Sequence, residues 1–183
     1  MKKILLIASL SIVGLASCSK IVGMLVSKIM SMQTVDAQFT LPIVTDTTNT
    51  NSYGPATATV NVDSFITAYS SNNYNIKNLK SANIESCNIT ISNPDDKNNF
   101  ANIQSCEVDL NSDVNKTIIH PATITNNPDT YSASLDVPVD NTIDLTSYMN
   151  AKQFNYTIKA KLRRATTKEL TCTIHIKMHI EMQ

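Results

Sequence analysis

Three imidazoles, His120, His175 and His179, are the only histidines in the 183-residue chain, so any serine or cysteine nucleophile would have to find its base among them. His175 and His179 lie four residues apart in a segment of strict two-residue alternation. At ~3.4 Å per residue their backbones are ~14 Å apart. That separation does not suit shared ligation of one metal, and the pair reads as solvated residues of one strand face. His120 precedes Pro121 near the end of a candidate strand and carries no recognisable signal. Cys87, Cys106 and Cys172 lack the close paired spacing of a zinc site and read as small buried hydrophobes. A Cys87–Cys106 disulfide would require their strands to be neighbours, and three free thiols are the preferred expectation. The run Asp95-Asp96-Lys97-Asn98-Asn99 offers hard oxygen ligands, but its order is not that of a calcium loop, and Asn and Asp are the residues of a plain turn. Glycine is scarce, with three in the whole chain. Phosphate-cradling loops and nucleophile elbows need more of it. No catalytic, cofactor or metal site is therefore expected, and the reading is of a protein that is not an enzyme.

The fourth cysteine belongs to a different chemistry. Lys2 and Lys3 precede an uncharged, mostly apolar run from Ile4 to Ala16, shorter than the ~20 residues that span a bilayer. This is the layout of a signal peptide over residues 1–17. It ends in Leu15-Ala16-Ser17-Cys18, which resembles the lipobox of bacterial lipoproteins. The resemblance implies that Cys18 becomes the acylated first residue, with two or three chains at ~0.8 kcal/mol per buried methylene giving a lasting anchor. An ordinary secretory peptide would export the chain equally. Residues 18–33 then form an apolar N-terminal segment whose only charges are Lys20 and Lys28. It could lie at the membrane interface beside the anchor, or pack on the domain as a first strand, which is preferred.

From residue 34 to residue 183 one domain is expected. From Cys172 to Met182 the even positions are apolar and the odd ones polar, and Phe154 to Leu162 alternate likewise. Each reads as a strand with one buried face. The two are expected to form a closing hairpin with Leu162 opposite Cys172 and Ile158 opposite Ile176. Weaker alternation predicts strands at Val35–Val44, Ala56–Val62, Ile84–Ser92, Ile103–Leu110, Thr117–Ile124 and Tyr131–Val139, with Pro138 confining the last to an edge or a bulge. Asp63-Ser64 and Asp144 are candidate caps for short helices carrying Phe65, Ile66 and Tyr69, and Leu145 to Met149. The fold class is all-β, an antiparallel immunoglobulin-like β-sandwich with one or two short helices and a long final hairpin.

With its Leu15–Cys18 lipobox, Asn- and Lys-rich composition, Asn93-Pro94-Asp95-Asp96 turn followed by Phe100, and closing alternation, the chain resembles small immunoglobulin-like β-sandwich lipoproteins of Bacteroidota-type bacteria. The resemblance implies a location and a fold, with no assigned chemistry. Surface-exported members tend to carry acidic residues directly after the cysteine. Ser19 and Lys20 stand there in this chain, which favours an outer-membrane anchor facing the periplasm.

Without Lys2 and Lys3 the balance is 13 basic against 15 acidic residues, which gives no general attraction to nucleic acid. Charge is uneven along the chain: Glu85 to Asp144 holds ten acidic residues against Lys97 and Lys116, and Ala151 to Gln183 seven basic against Glu169 and Glu181. A protein partner could read that polarity, although lysines on a strand's wet face also serve solubility. Tryptophan is absent, so a sugar-stacking platform would have to come from Tyr and Phe. The expected function is that of a noncatalytic, lipid-anchored envelope protein presenting a recognition surface to a protein partner, in envelope assembly or adhesion. A small-ligand or glycan-binding lipoprotein is the alternative.

Overall fold

The computed structural model describes residues 28–33 and 36–183. The signal peptide expected over 1–17, Cys18, and the part of the apolar segment up to residue 27 lie outside the described residues. The nine described strands are β1 (Lys28–Gln33), β2 (Ala37–Leu41), β3 (Thr50–Thr59), β4 (Leu79–Ile91), β5 (Ile103–Ser112), β6 (Ile119–Ile124), β7 (Ser134–Asp136), β8 (Gln153–Leu162) and β9 (Leu170–Met182), with one α-helix, α1 (Val62–Tyr69). All pairings are antiparallel. One sheet runs β1-β9-β4-β7 with β2 also on β9, and the other runs β3-β8-β5-β6. The all-β sandwich is thus the observed fold, and it includes Lys28–Gln33 as a first strand.

β9 shows why the chain folds this way. Cys172, Ile174, Ile176, Met178, Ile180 and Met182 are all buried, and the residues between them are half-exposed. β4 pairs along nearly its whole length on one side. On the other side β1 takes the C-terminal half, with Met30 opposite Ile180, and β2 the N-terminal half, with Phe39 opposite Cys172. β8 supplies the facing layer through Phe154, Tyr156, Ile158, Ala160 and Leu162, all buried.

The expected β8–β9 hairpin is not formed. β8 pairs with β3 and β5, and β9 with β1, β2 and β4, so the two final strands face one another across the core. An apolar strand face is buried equally well against a neighbour in its own sheet or against the opposite sheet. Alternation alone does not choose. The connection decides: residues 163–169 are longer than a tight hairpin loop and cross the ~10 Å between sheets. The side chains of Asn98, Asn102 and Arg163 hold that corner. Asn102 Nδ2 donates to Ala165 O at 3.0 Å, Thr167 N donates to Asn98 Oδ1 at 2.7 Å, and Arg163 Nη2 donates to Asn127 O at 2.6 Å.

Two further adjustments have simple causes. The predicted strand ending at Val62 stops at Thr59, because Asn61 caps α1 by accepting from Ser64 N at 2.9 Å. Asp63, the expected cap, lies inside the helix and accepts instead from Ile76 N at 2.8 Å. Asp144, the other expected cap, stands one residue before the N-cap position of the 3-10 segment Thr146–Tyr148, which is Leu145, and there forms a turn by accepting from Thr146 N at 2.9 Å. The predicted Tyr131–Val139 strand shortens to β7 because the chain changes sheets at Pro138. Val137 N donates to Cys87 O in one sheet, and Thr123 N donates to Pro138 O in the other.

Cys87, Cys106 and Cys172 are free and buried. Cys87 stands on β4 and Cys106 on β5, in opposite sheets, so the neighbouring-strand condition for a disulfide is not met. Desolvation pushes the Cys106 and Cys172 thiols up to about 12, and Cys87 higher still. All three should resist an aromatic disulfide reagent in the native protein and react once it is unfolded without reductant; loss of thiol titre in the unfolded sample would reveal a disulfide. Gly54 forms the bulge of β3 at φ +113°, where an added Cβ would stand 2.9 Å from Tyr156 O. Gly54→Ala should therefore lower unfolding free energy by about 1–3 kcal/mol in a denaturant titration.

Candidate functional site

The densest group of polar chemistry among the described residues lies on the outer face of the β3-β8-β5-β6 sheet. Alternation points Glu107 and Lys159 outward from β5 and β8, where they are register partners, and Asp109 stands opposite Thr157. His120 joins them through a bulge. Between the pairs Val108↔Ala122 and Leu110↔Ile119, β5 has one residue, Asp109, and β6 has two, His120 and Pro121. Proline offers no N–H to a ladder and sits readily in such a bulge. The extra residue turns Pro121 inward, buried beside Ala122, and leaves His120 over Asp109.

His120 Nδ1 is 2.6 Å from Asp109 Oδ1 and 3.3 Å from Glu107 Oε1. An ionised carboxylate only accepts, so the imidazole carries its hydrogen on Nδ1. Lys159 Nζ donates to Glu107 Oε1 at 3.0 Å and lies 2.8 Å from Asp109 Oδ2. The Asp109 side chain is only 8% exposed, whereas that of His120 is 50% exposed. Burial acts to raise the Asp109 carboxyl, but hydrogen bonds from Lys159 and His120 outweigh it and hold the group below its ordinary value. The same contacts, Asp109 first and then Glu107, raise Lys159.

Glu107, Asp109 and His120 present ligand atoms within 4.8 Å of one another, so these three are the residues that could hold a metal ion. Lys159 already bridges the two carboxylates with a positive charge, and an incoming cation would have to displace it. Beside the cluster an open depression of about 220 Å³ is lined by Thr50, Ser105, Thr123, Thr125, Glu107 and Lys159. The enclosed void between the sheets is far smaller, about 10 Å³, and apolar. The chemistry on offer is thus hydrogen bonding and charge on a nearly flat surface.

The other sequence-marked residues are dispersed. His175 and His179 share the outer face of the other sheet but have different neighbours. His175 Nδ1 is 2.7 Å from Asp36 Oδ1 and its Nε2 is 3.0 Å from Thr90 Oγ1, while His179 lines a shallow depression with Glu85 and Asn141. Asp95 acts as a turn residue, accepting at 2.9 Å from both Lys97 N and Asn98 N, and its second oxygen is 2.7 Å from Lys168 Nζ. Hydrogen bonds from Lys168 and Asn98 hold this carboxyl well below its usual range. The His120–Asp109 pairing was missed in the sequence. The available signal was His-Pro inside a candidate strand, which marks a bulge but not what lies opposite.

Comparison of the sequence with protein-family models and with curated proteins finds no match.

The pH dependence of the cluster follows from the two shifts. A lowered Asp109 stabilises the fold above its unfolded value near ~4, and this is lost as pH falls through the folded value. A raised Lys159 stabilises below ~10.4, and this is lost as pH rises through its folded value. The stability difference between wild type and Asp109→Asn/Lys159→Met should therefore shrink below ~4 and again above ~10.4 in denaturant titrations. Lys159→Met alone should cost about 1–3 kcal/mol at pH 7, since Asp109 keeps its burial and loses its main cationic partner.

Proposed function

We propose that the protein is a noncatalytic envelope lipoprotein, anchored through Cys18 to the outer membrane and facing the periplasm. It offers the outer face of the β3-β8-β5-β6 sheet to a protein partner in envelope assembly or adhesion. The observation that carries this reading is the placement of Glu107, Asp109, His120 and Lys159. Four groups of mixed charge are held in register on an open sheet face, flanked by the ladder Thr57 Oγ1 to Asn155 Oδ1 at 3.2 Å and Asn155 Nδ2 to Asn111 Oδ1 at 3.0 Å. A surface of fixed, alternating charge selects partners by complementarity and suits protein contact better than enclosure of a small molecule. The anchor rests on the Leu15–Cys18 motif. It is compatible with the described residues, in which no helix is long and apolar enough to cross a membrane.

The glycan or small-ligand alternative draws on the hydroxyls of Thr50, Ser105, Thr123 and Thr125 around the depression. No aromatic ring lines it for a sugar to stack on. The two readings separate by experiment. Native protein and a Cys18→Ser variant are compared by intact mass and membrane fractionation, and a photo-crosslinking residue is placed at Thr123 with Thr173 on the opposite sheet as control. Acyl mass on Cys18, release of the variant from the membrane, and an envelope-protein adduct from Thr123 that Lys159→Glu abolishes are expected. An unacylated, soluble wild type refutes the anchor. Equal labelling from both sheets refutes the recognition face.

A further inference from the structure

The end of the sandwich where β1 begins differs from the opposite end in what it exposes. Lys28 pairs with Met182 at the finish of β9, and Leu79, opposite Met182 on its other side, starts β4. α1 and the loop from 113 to 118 belong to this same end, since they follow Thr59 and Ser112, whose partners Gln153 and Phe154 begin β8. Among the described residues six large apolar side chains are more than half exposed, and four of them are here: Ile29, Tyr69, Val114 and Ile118. The far end has Ile43 and Tyr131, among the charged contacts Lys168–Asp95 and Arg164–Asp129, while the entry end carries the pair Lys80–Glu181 at 2.7 Å together with Asp63 and Asp113.

Tyr69 has the environment of an interfacial residue. Its ring is half-exposed, stacks on Phe65 with centroids 5.6 Å apart, and lies 5.2 Å from Lys28 Nζ, which also donates to Tyr69 O at 3.3 Å. An aromatic ring with a polar tip and a long lysine stem are the side chains that settle at a headgroup boundary, with their apolar parts inward and polar ends in water.

Chain length excludes the inverted orientation. Nine residues lie between Cys18 and Lys28, and the ten steps from one Cα to the other reach at most about 33–36 Å when fully extended. β9 has thirteen residues, so at ~3.4 Å each the far loops lie about 40 Å beyond the point where the connecting chain enters the domain. A lipid on Cys18 could not remain in the bilayer while the chain ran back along the whole domain to put those loops on the surface. The entry end is always within reach.

We propose that the sandwich stands end-on to the membrane, with Tyr69, Ile118 and their neighbours against the phospholipid headgroup layer and the Asp95–Lys168 end pointing away. This rests on the Cys18 anchor. It places the charged face of the β3-β8-β5-β6 sheet upright and lateral, open to a partner beside the protein.

The test uses the acylated protein reconstituted into vesicles of phosphatidylethanolamine and phosphatidylglycerol. Nitroxide labels are placed singly at Tyr69→Cys, Ile118→Cys and Tyr131→Cys; the native Cys87, Cys106 and Cys172 are buried and stay unlabelled. Access to oxygen relative to a water-soluble nickel chelate should be several-fold higher for the labels at 69 and 118 than at 131. Equal, water-like access at all three positions would show a domain held off the surface and overturn the orientation. A lipid-like signal at 69 without one at 118 would show a domain lying on its β1 edge, which also overturns it. Intact mass of the same sample reads the anchor separately: acyl mass with water-like labels rejects only the orientation, whereas missing acyl mass rejects the anchor and the orientation with it.

Discussion

The burial of alternate residues along β9 is the constraint on which the rest of the structure depends. Six apolar side chains from Cys172 to Met182 occupy one face, and three strands attach to the two edges of that one strand. A shift of one residue in any of these pairings would turn Ile174, Ile176 and their partners into water and send Lys177 and His179 into the core. At about 1.5–3 kcal/mol for each large apolar side chain withdrawn from water, such a slip would cost more than the net stability of an ordinary domain. The register of β1, β2 and β4 is set by this cost, and with it the position at which the N-terminal segment enters.

With so little glycine, the corners between sheets are built by another device. Asparagine supplies both donor and acceptor on a short side chain and can stand in for backbone partners where a loop is buried. Asn98, Asn99, Asn102 and Asn127 are all buried at the far end; the amides of the last three reach the carbonyls of Asp95, Lys97, Phe100, Ile103 and Ala165, and that of Asn98 donates to Asp95 Oδ1 and Thr167 Oγ1. The Asn-rich composition is thus a structural feature of the crossovers at that end. Gly54 remains where a positive φ in the β3 bulge requires it.

The charged face depends on the same framework. Lys159 and Glu107 meet because β8 and β5 are neighbours in register, and Asp109 is tolerated at a nearly buried position because Lys159 and His120 cover it. Desolvating a carboxylate is costly unless its oxygens are bonded, and here both are. The cluster is thereby rigid. Its groups sit where the strands put them, and a partner would meet an arranged pattern of charge.

Much of this fold was legible in the sequence, because alternation reports directly which side of a strand is wet. The strands at Ile103 and at Phe154 to Leu162 and the long final strand could be read that way, as could the three buried thiols as packing residues, while the turn at Asn93 to Asp96 was legible from residue type. What alternation cannot report is the partner of each strand. A buried face is satisfied by any apolar neighbour, so only the assembled sandwich decided that β8 and β9 oppose rather than pair, and that His120 comes to rest on Asp109 eleven residues away in the chain. The sequence by itself determined the period and the wet and dry faces, since those follow from local geometry. The tertiary structure alone decided the candidate site, because its four groups come from three strands whose adjacency is a property of the whole core.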